Sequence, residues 1–385
     1  MTTQITIPDP KWGSNLANTV LNLEKLRHKQ LYGEIPPHIF FQLKNIFHIL
    51  ETLGSARIEG NNTTLAEYVE KLLEDSAKPD EKQQEVQNIS KAIDFIEKNT
   101  DEQTVFTRAY LSELHKLLTK DLTPPPQGEG SKRPGELRHH NVAIAKSSHK
   151  PPEHTVLQEH FENFLHFVNQ HHTEQYQLLA AAIAHHRFAY IHPFDNGNGR
   201  LGRLLNYALL IKLGFQVKKG RIINPSSVFY TDRSKYYEML GQADSLKDDA
   251  ILDWCEYFLL GLKNEIEKID SLLSRAYVKD VILLPALSFS QDREVITEEE
   301  HAVLKHLVSK PDILMKAEEL DQFGLETSLQ KSRFMARLRD KKMIIPIKEG
   351  GRIYTINFVN NYLLRGVIKA LEDNGFVAEF LQKQM

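Results

Sequence analysis

Only one cysteine, Cys255, occurs in 385 residues. That excludes an internal disulfide framework and thiolate zinc sites, and it points to a reducing, cytosolic compartment. Charge of one sign is also scarce: 48 Lys and Arg stand against 51 Asp and Glu, a net of −3. Such a balance argues against a chain devoted to coating nucleic acid, while leaving room for a local basic face. No uninterrupted apolar run approaches the ~20 residues needed to span a bilayer. The opening MTTQITIPDPKW lacks the basic and then apolar stretch of a signal peptide. The expectation is a soluble, cytoplasmic protein with no membrane partner. Internal repeats and low-complexity tails are missing too. What is present is ordinary globular material, 41% hydrophobic and 26% charged, in a chain too long for one core.

Periodicity predicts a mainly α chain. Apolar residues at intervals of three and four predict helices over 37–53, 84–98, 107–120, 155–167 and 174–190. Thr64-Leu-Ala-Glu67 is a capping box, which satisfies two otherwise orphaned N–H groups at the start of another helix. Over 122–138, Pro124-Pro125-Pro126 and three glycines break any helix and predict an exposed loop. Val142-Ala-Ile144 suggests a strand running to a turn at Ser147 and Ser148, a small hairpin of the kind that covers clefts. Pro193 stops the helix that precedes it, and Leu201, Leu204, Leu205, Ala208, Leu209 and Leu213 begin the next, closed by Gly214.

The stretch His192-Pro-Phe-Asp-Asn-Gly-Asn-Gly-Arg-Leu-Gly-Arg203 carries the chemistry. Gly197 and Gly199 let main-chain N–H groups turn inward directly before a helix N-terminus, which makes a concave seat for an anion. Arg200 and Arg203, one turn apart, can both reach such an anion, and two guanidinium groups suit a polyphosphate. His192 enters from the other side, where a neutral imidazole can take a proton from an attacking hydroxyl. Phe194 reads as an apolar plug whose burial contributes ~2 kcal/mol. Gly197-x-Gly199-x-x-Gly202 matches the dinucleotide fingerprint formally. A helix precedes it, however, and Ile222 and Ile223 stand where an acidic residue is required, so that reading fails.

These residues resemble the Fic motif, His-x-Phe-x-Asp/Glu-Gly-Asn-Gly-Arg-x-x-Arg, of enzymes that transfer AMP from ATP to protein hydroxyls. Gly135-Glu-Leu-Arg138 with Asn141-Val142-Ala-Ile144 is similar to that family's flap hairpin, and Tyr236-Tyr237-x-x-Leu240 to its adenine-side helix. The resemblance implies a Fic-type helical core with a small β-hairpin flap. It gives His192 the role of base and has Gly197 to Gly199 cradle phosphates. Asn198 and Arg200 would hold the α and β phosphates, Arg203 the γ, and Tyr237 would lie near adenine, with Asp244 where some relatives have asparagine. Val142 of the flap and Phe194 join the nucleotide-contacting set. ATP and Mg²⁺ are the implied cosubstrates, and a protein Ser, Thr or Tyr hydroxyl the acceptor. One position departs: the family's metal-holding Asp/Glu is Asn196 here, preceded by Asp195. Either Asn196 and water serve the metal, or Asp195 turns inward, or catalysis is altered.

Ser55-Ala-Arg-Ile-Glu59-Gly60 is similar to the inhibitory motif preceding the core in many Fic proteins. A Glu59 carboxylate paired with Arg203 would neutralise the group that the γ-phosphate needs and repel the phosphate itself. From Glu298 on, three helices, the last ending near Lys342, and a hairpin of Ile344-Ile345 against Tyr354-Thr-Ile356 look like a winged helix. Its third helix, 326–342, carries six cations (Lys331, Arg333, Arg337, Arg339, Lys341, Lys342) against Glu326 and Asp340, a local +4. DNA contact and a solvated basic face are both open. The expected division is 1–105, an N-terminal helical region; 106–285, the Fic core; and 286–385, the winged-helix-like domain. Three functions stay in view: an autoinhibited protein adenylyltransferase, a catalytically weak nucleotide-sensing regulator that binds DNA, and a transferase using another nucleotide such as UTP. A homodimer is left open. The pairs His139-His140, His171-His172 and His185-His186 read as solvated or partly buried side chains, because neighbours on a helix face different ways.

Overall fold

The computed structural model describes residues 4–29, 34–73, 79–144, 147–215 and 222–383. In chain order its first helices are α1 (Asn15–His28), α2 (Pro37–Glu59), α3 (Leu65–Leu73), α4 (Glu81–Asn99), α5 (Arg108–Thr119), α6 (Leu157–Asn169), α7 (Glu174–Ile191) and α8 (Asn198–Lys212). Then come α9 (Ser227–Tyr230), α10 (Arg233–Ala243), α11 (Asp248–Asp270), α12 (Arg275–Tyr277), α13 (Leu284–Asp292), α14 (Glu298–Ser309), α15 (Ser328–Asp340), α16 (Leu363–Asp373) and α17 (Glu379–Gln382). Among the described residues there are also three short strands, β1 (Met315–Lys316), β2 (Ile344–Pro346) and β3 (Ile353–Ile356). The mainly helical class read from periodicity is thus observed. The chain divides into two compact units: Met1–Gln30, Glu51–Thr63 and Lys78–Glu267 in one, and Leu31–Leu50, Thr64–Ala77 and Lys268–Met385 in the other.

In the first unit α7 and α8 lie side by side, with α4 and α5 against α8, and α1 and α6 against α7. Both central helices are buried on nearly every face, from Leu178 through Phe188 on α7 and from Leu201 through Ile211 on α8. Helices buried on nearly every face lie inside a core, and the polar residues they carry there need partners. The ends follow local rules: Thr107 caps α5 through the Tyr110 N–H, and Asp80 and Gln83 form a capping box on α4. The helix read over 37–53 runs on to Glu59. A Cβ at Gly54 would lie 2.2 Å from the Tyr230 ring, so glycine there serves close packing and the helix continues past it.

The hairpin read at 141–152 is not seen among the described residues: 141–144 and 147–150 make no strand pairing, and Ala145 and Lys146 lie outside them. Side chains and turns hold the segment instead. Asn141 Oδ1 accepts from the His154 N–H at 2.8 Å, the Ser147 N–H donates to the Ile144 carbonyl, and His149 Nε2 lies 2.8 Å from the Tyr190 carbonyl. So short a run, with Asn141 at its start and small Ala143 at its centre, gives a partner strand too little to pack on, and side-chain bonds to the main chain win.

In the second unit, α14, a 3₁₀ helix at Ala317–Phe323, α15 and the β2–β3 ladder appear in the predicted order. Ile344 pairs with Ile356 and Ile345 with Thr355, and Gly350 adopts φ 69° in the turn. The sequence did not reveal β1, a two-residue strand that pairs Met315 with Tyr354 and makes an antiparallel sheet of order β1-β3-β2. Capping boxes at Thr297 and Thr327 open α14 and α15, and Thr64 with Glu67 opens α3 as read. Three of the six cations counted on 326–342 are in ion pairs: Lys331 with Asp321 (2.6 Å), Arg337 with Glu299 (2.8 Å) and Lys341 with Glu300 (2.7 Å). That face is therefore less positive than the formal +4. No helix among the described residues is long and apolar enough to cross a membrane.

Candidate functional site

Helix α7 ends where His192 takes a left-handed conformation, φ 48°, its N–H still bonded to the Phe188 carbonyl at 3.0 Å. A non-glycine residue held there stores strain, and strain clusters at functional positions. Arg138 clamps the turn: its Nε donates to the His192 carbonyl (2.9 Å) and its main-chain N–H to the Pro193 carbonyl (2.9 Å). Phe194 is fully buried, as read, and stacks on His115 with ring centres 4.1 Å apart. Asn198 then closes the loop. Its Oδ1 accepts from the Phe194 N–H and its Nδ2 donates to the Phe194 carbonyl, both at 2.9 Å. Gly197, at φ 74°, caps α8 in a conformation that favours glycine.

The two arginines of α8 are 0% and 1% exposed, so each needs a partner. Arg203 finds both in the end of α2. Its Nη2 lies 2.7 Å from Glu59 Oε1 and 2.9 Å from the Ser55 carbonyl, and its Nε 3.0 Å from Ser55 Oγ. The same carboxylate rests on the start of α8: a Cβ at Gly199 would meet Glu59 Oε1 at 2.1 Å. Glu59 therefore occupies the positive end of that helix, where an anion is favoured. Burial opposes its ionisation, but Arg203, with Arg200 and Arg233 beyond, outweighs burial and holds the carboxyl below the ordinary range. Arg200 turns elsewhere, to Glu85 of α4 (Nη1 to Oε1, 2.9 Å) and to Glu129 in the loop before α6 (Nη2 to the carbonyl, 2.7 Å, and to Oε2, 3.2 Å). Asn61, just past Glu59, donates to Glu85 at 2.7 Å. Burial raises the Glu85 carboxyl despite Arg200.

Burial pushes the His192 imidazole down to about 4, with Arg138 adding to the effect. It is accordingly neutral near pH 7. A neutral imidazole has one ring nitrogen able to take a proton. Asp195 faces away from the loop's interior. Its Oδ1 accepts from Ser131 Oγ at 2.6 Å and its Oδ2 from the Lys132 N–H at 3.1 Å. Asn196 directs its Nδ2 to the Gly130 carbonyl (3.1 Å) and Glu129 Oε2 (3.4 Å). Tyr236 is core, its hydroxyl 2.9 Å from His185 Nε2, whereas Tyr237 is 43% exposed, sits 5.4 Å under Arg233 and feels the charges of Glu59 and Arg203. Val142 is half-buried in the segment after Arg138. Asp244 receives His186 Nε2 at 3.1 Å.

Glu59, Gly199 and Arg203 thus come together, Asn198 and Phe194 hold the loop, and Arg200 is engaged by Glu85 and Glu129. Sequence reading missed Glu85, Glu129 and His115. His115 accepts from the Gly135 N–H at Nδ1 (2.8 Å), so its Nε2 donates to the Asn196 carbonyl (3.0 Å). A signal for it existed: a histidine among Leu111, Leu114 and Leu118 on a buried face needs polar partners inside the core. Glu85, beside Val86 and Ile89, gives the same signal.

Residues 105–210 match the model of the Fic/DOC family. Over 203 residues the chain is 30% identical to the protein adenylyltransferase Fic of Drosophila ananassae, covering 51% of this chain and 36% of that protein. The protein adenylyltransferase Fic of Drosophila virilis matches at the same identity over 51% of this chain and 37% of its own length. The chain therefore spans little more than a third of these relatives. A Fic family protein from Desulfovibrio desulfuricans G20 shares the fold over 92% of this chain and 98% of its own, with a TM-score of 0.56 and 20% identity.

Proposed function

Because this chain belongs to the Fic family through the domain at residues 105–210, we propose that it transfers AMP from ATP to a hydroxyl side chain of a protein and that Glu59 restrains it. The observation that carries this reading is the Glu59 carboxylate, 2.7 Å from Arg203 and seated over Gly199 at the start of α8. An anion already fills the seat that a phosphate would take. In the transfer, the acceptor oxygen attacks the α-phosphorus, its proton passes to His192, and the bond to pyrophosphate breaks. The imidazole, neutral at pH 7, is in the state that step requires. Main-chain N–H groups of Gly197 to Gly199 cradle the phosphates, and Arg203 takes the γ-phosphate once Glu59 withdraws. Tyr237 and Val142 flank the base and the acceptor.

A divalent cation would arrive with the triphosphate and offset its charge. Among the described residues no three His, Cys, Asp or Glu side chains converge as a metal cage. The donor set fits a cation held mainly by phosphate oxygens and water, with the amide oxygen of Asn196 beside it. Asp195 is already committed to Ser131 and Lys132.

Incubation with labelled ATP tests the reading. Glu59→Gly should raise transfer at least about tenfold, the scale of removing one charge-assisted bond. Adding His192→Ala to that protein should lower transfer about 10²- to 10⁴-fold. An unchanged or lower rate in folded Glu59→Gly protein counts against the brake, and label that survives His192→Ala counts against the base.

A further inference from the structure

We infer, resting on the nucleotide reading above, that Glu129 supplies the carboxylate for the cation that accompanies the triphosphate, at the place where the 192–203 loop offers only the amide of Asn196. The loop before α6 is built to aim it there. Residues 122–130 fold back on themselves through the Gly130 N–H and the Thr123 carbonyl (2.8 Å), and a Cβ at Gly130 would lie 2.1 Å from the Leu122 carbonyl oxygen. Only glycine permits that approach. Thr123 is tied in turn to Glu81 of α4 (N–H to Oε1, 2.8 Å). Held this way, Glu129 places Oε2 3.4 Å from Asn196 Nδ2 and 3.2 Å from Arg200 Nη2.

The charge count at this spot is unbalanced. One guanidinium, Arg200, meets two carboxylates, Glu85 at 2.9 Å and Glu129 at 3.2 Å. A negative charge is left over beside Asn196. Glu85 cannot serve an arriving cation, since its side chain is 4% exposed, whereas that of Glu129 is 44% exposed. Asp195 is spent on Ser131 and Lys132. Mg²⁺ takes one or two carboxylates along with substrate phosphates and keeps several waters. Glu129 provides the one carboxylate, and Asn196 stands beside it, its Nδ2 shared between the Gly130 carbonyl (3.1 Å) and Glu129 Oε2 (3.4 Å).

Binding of Mn²⁺ to the full-length Glu59→Gly protein with ATP, followed by electron paramagnetic resonance, tests the assignment. Glu129→Gln should weaken Mn²⁺ binding about tenfold or more, and binding should recover when Asn196→Asp is added. Thermal unfolding checks that each variant is folded. Unaltered Mn²⁺ affinity in folded Glu129→Gln overturns the inference. So does tighter ATP binding in EDTA without loss of Mn²⁺, which would make Glu129 an obstruction on Arg200. If the Glu59→Gly protein binds no ATP with or without cation, the nucleotide reading itself fails and the inference goes with it.

Discussion

Arg200 and Arg203 stand one turn apart on α8, equally buried, yet they are held in opposite ways. Arg203 is bound from the end of α2, by Ser55 and by a Glu59 side chain that is 25% exposed. Arg200 is bound by Glu85, 4% exposed within α4 and itself fixed by Asn61. Glu59 has room to be displaced by an arriving anion, and Glu85 does not. A pair of arginines that reads in sequence as two equal phosphate clamps is, in structure, one exchangeable contact and one built-in strut.

Removing each carboxylate should break the comparison open. Glu85→Ala leaves a fully buried guanidinium with only the partly exposed Glu129 and the Glu129 carbonyl, and should cost about 3–5 kcal/mol of stability. Glu59→Ala should cost roughly 1–2 kcal/mol, because two Ser55 bonds remain and the vacated side opens to water or an anion. Denaturant unfolding of the two variants measures both. Equal losses would mean that the two arginines are held alike.

Acid titration should sharpen the contrast by a smaller effect. Burial raises the Glu85 carboxyl above the ordinary 4.5, and Arg203 holds Glu59 below it. The folded chain therefore binds a proton at Glu85 first. Between 4.5 and that raised value Glu85 adds stability as pH falls; Glu59 contributes stability that is complete above 4.5 and is lost as pH falls through its lowered value. Carboxyl-carbon resonances of labelled glutamates should show Glu85 titrating at the higher pH, and the reverse order would contradict the charge environments described here.

Much of the fold was legible because its signals are local. The cap at Thr64, the Pro193 break and the 3.6-residue pattern need only neighbours in sequence. The same holds for the site's loop, whose glycines, arginines and histidine are contiguous. What escaped depends on distant partners. The helix read to Leu53 runs on to Glu59, with Gly54 packed against the Tyr230 ring. Asn198 reads as a phosphate ligand, whereas both ends of its amide are committed to Phe194. Glu85 and Glu129, 115 and 71 residues from Arg200, carry no sign in sequence of the guanidinium they share. The strand β1 is two residues long and has no periodicity to read.

Calorimetric titration of Mg²⁺–ATP into the unaltered chain and into Glu59→Gly bears most directly on the claim that Glu59 holds a triphosphate's place on Arg203. The Glu59→Gly protein should bind at least about tenfold more tightly, the equivalent of one charge-assisted hydrogen bond. Equal affinity in the two proteins, or heat from neither, would contradict it.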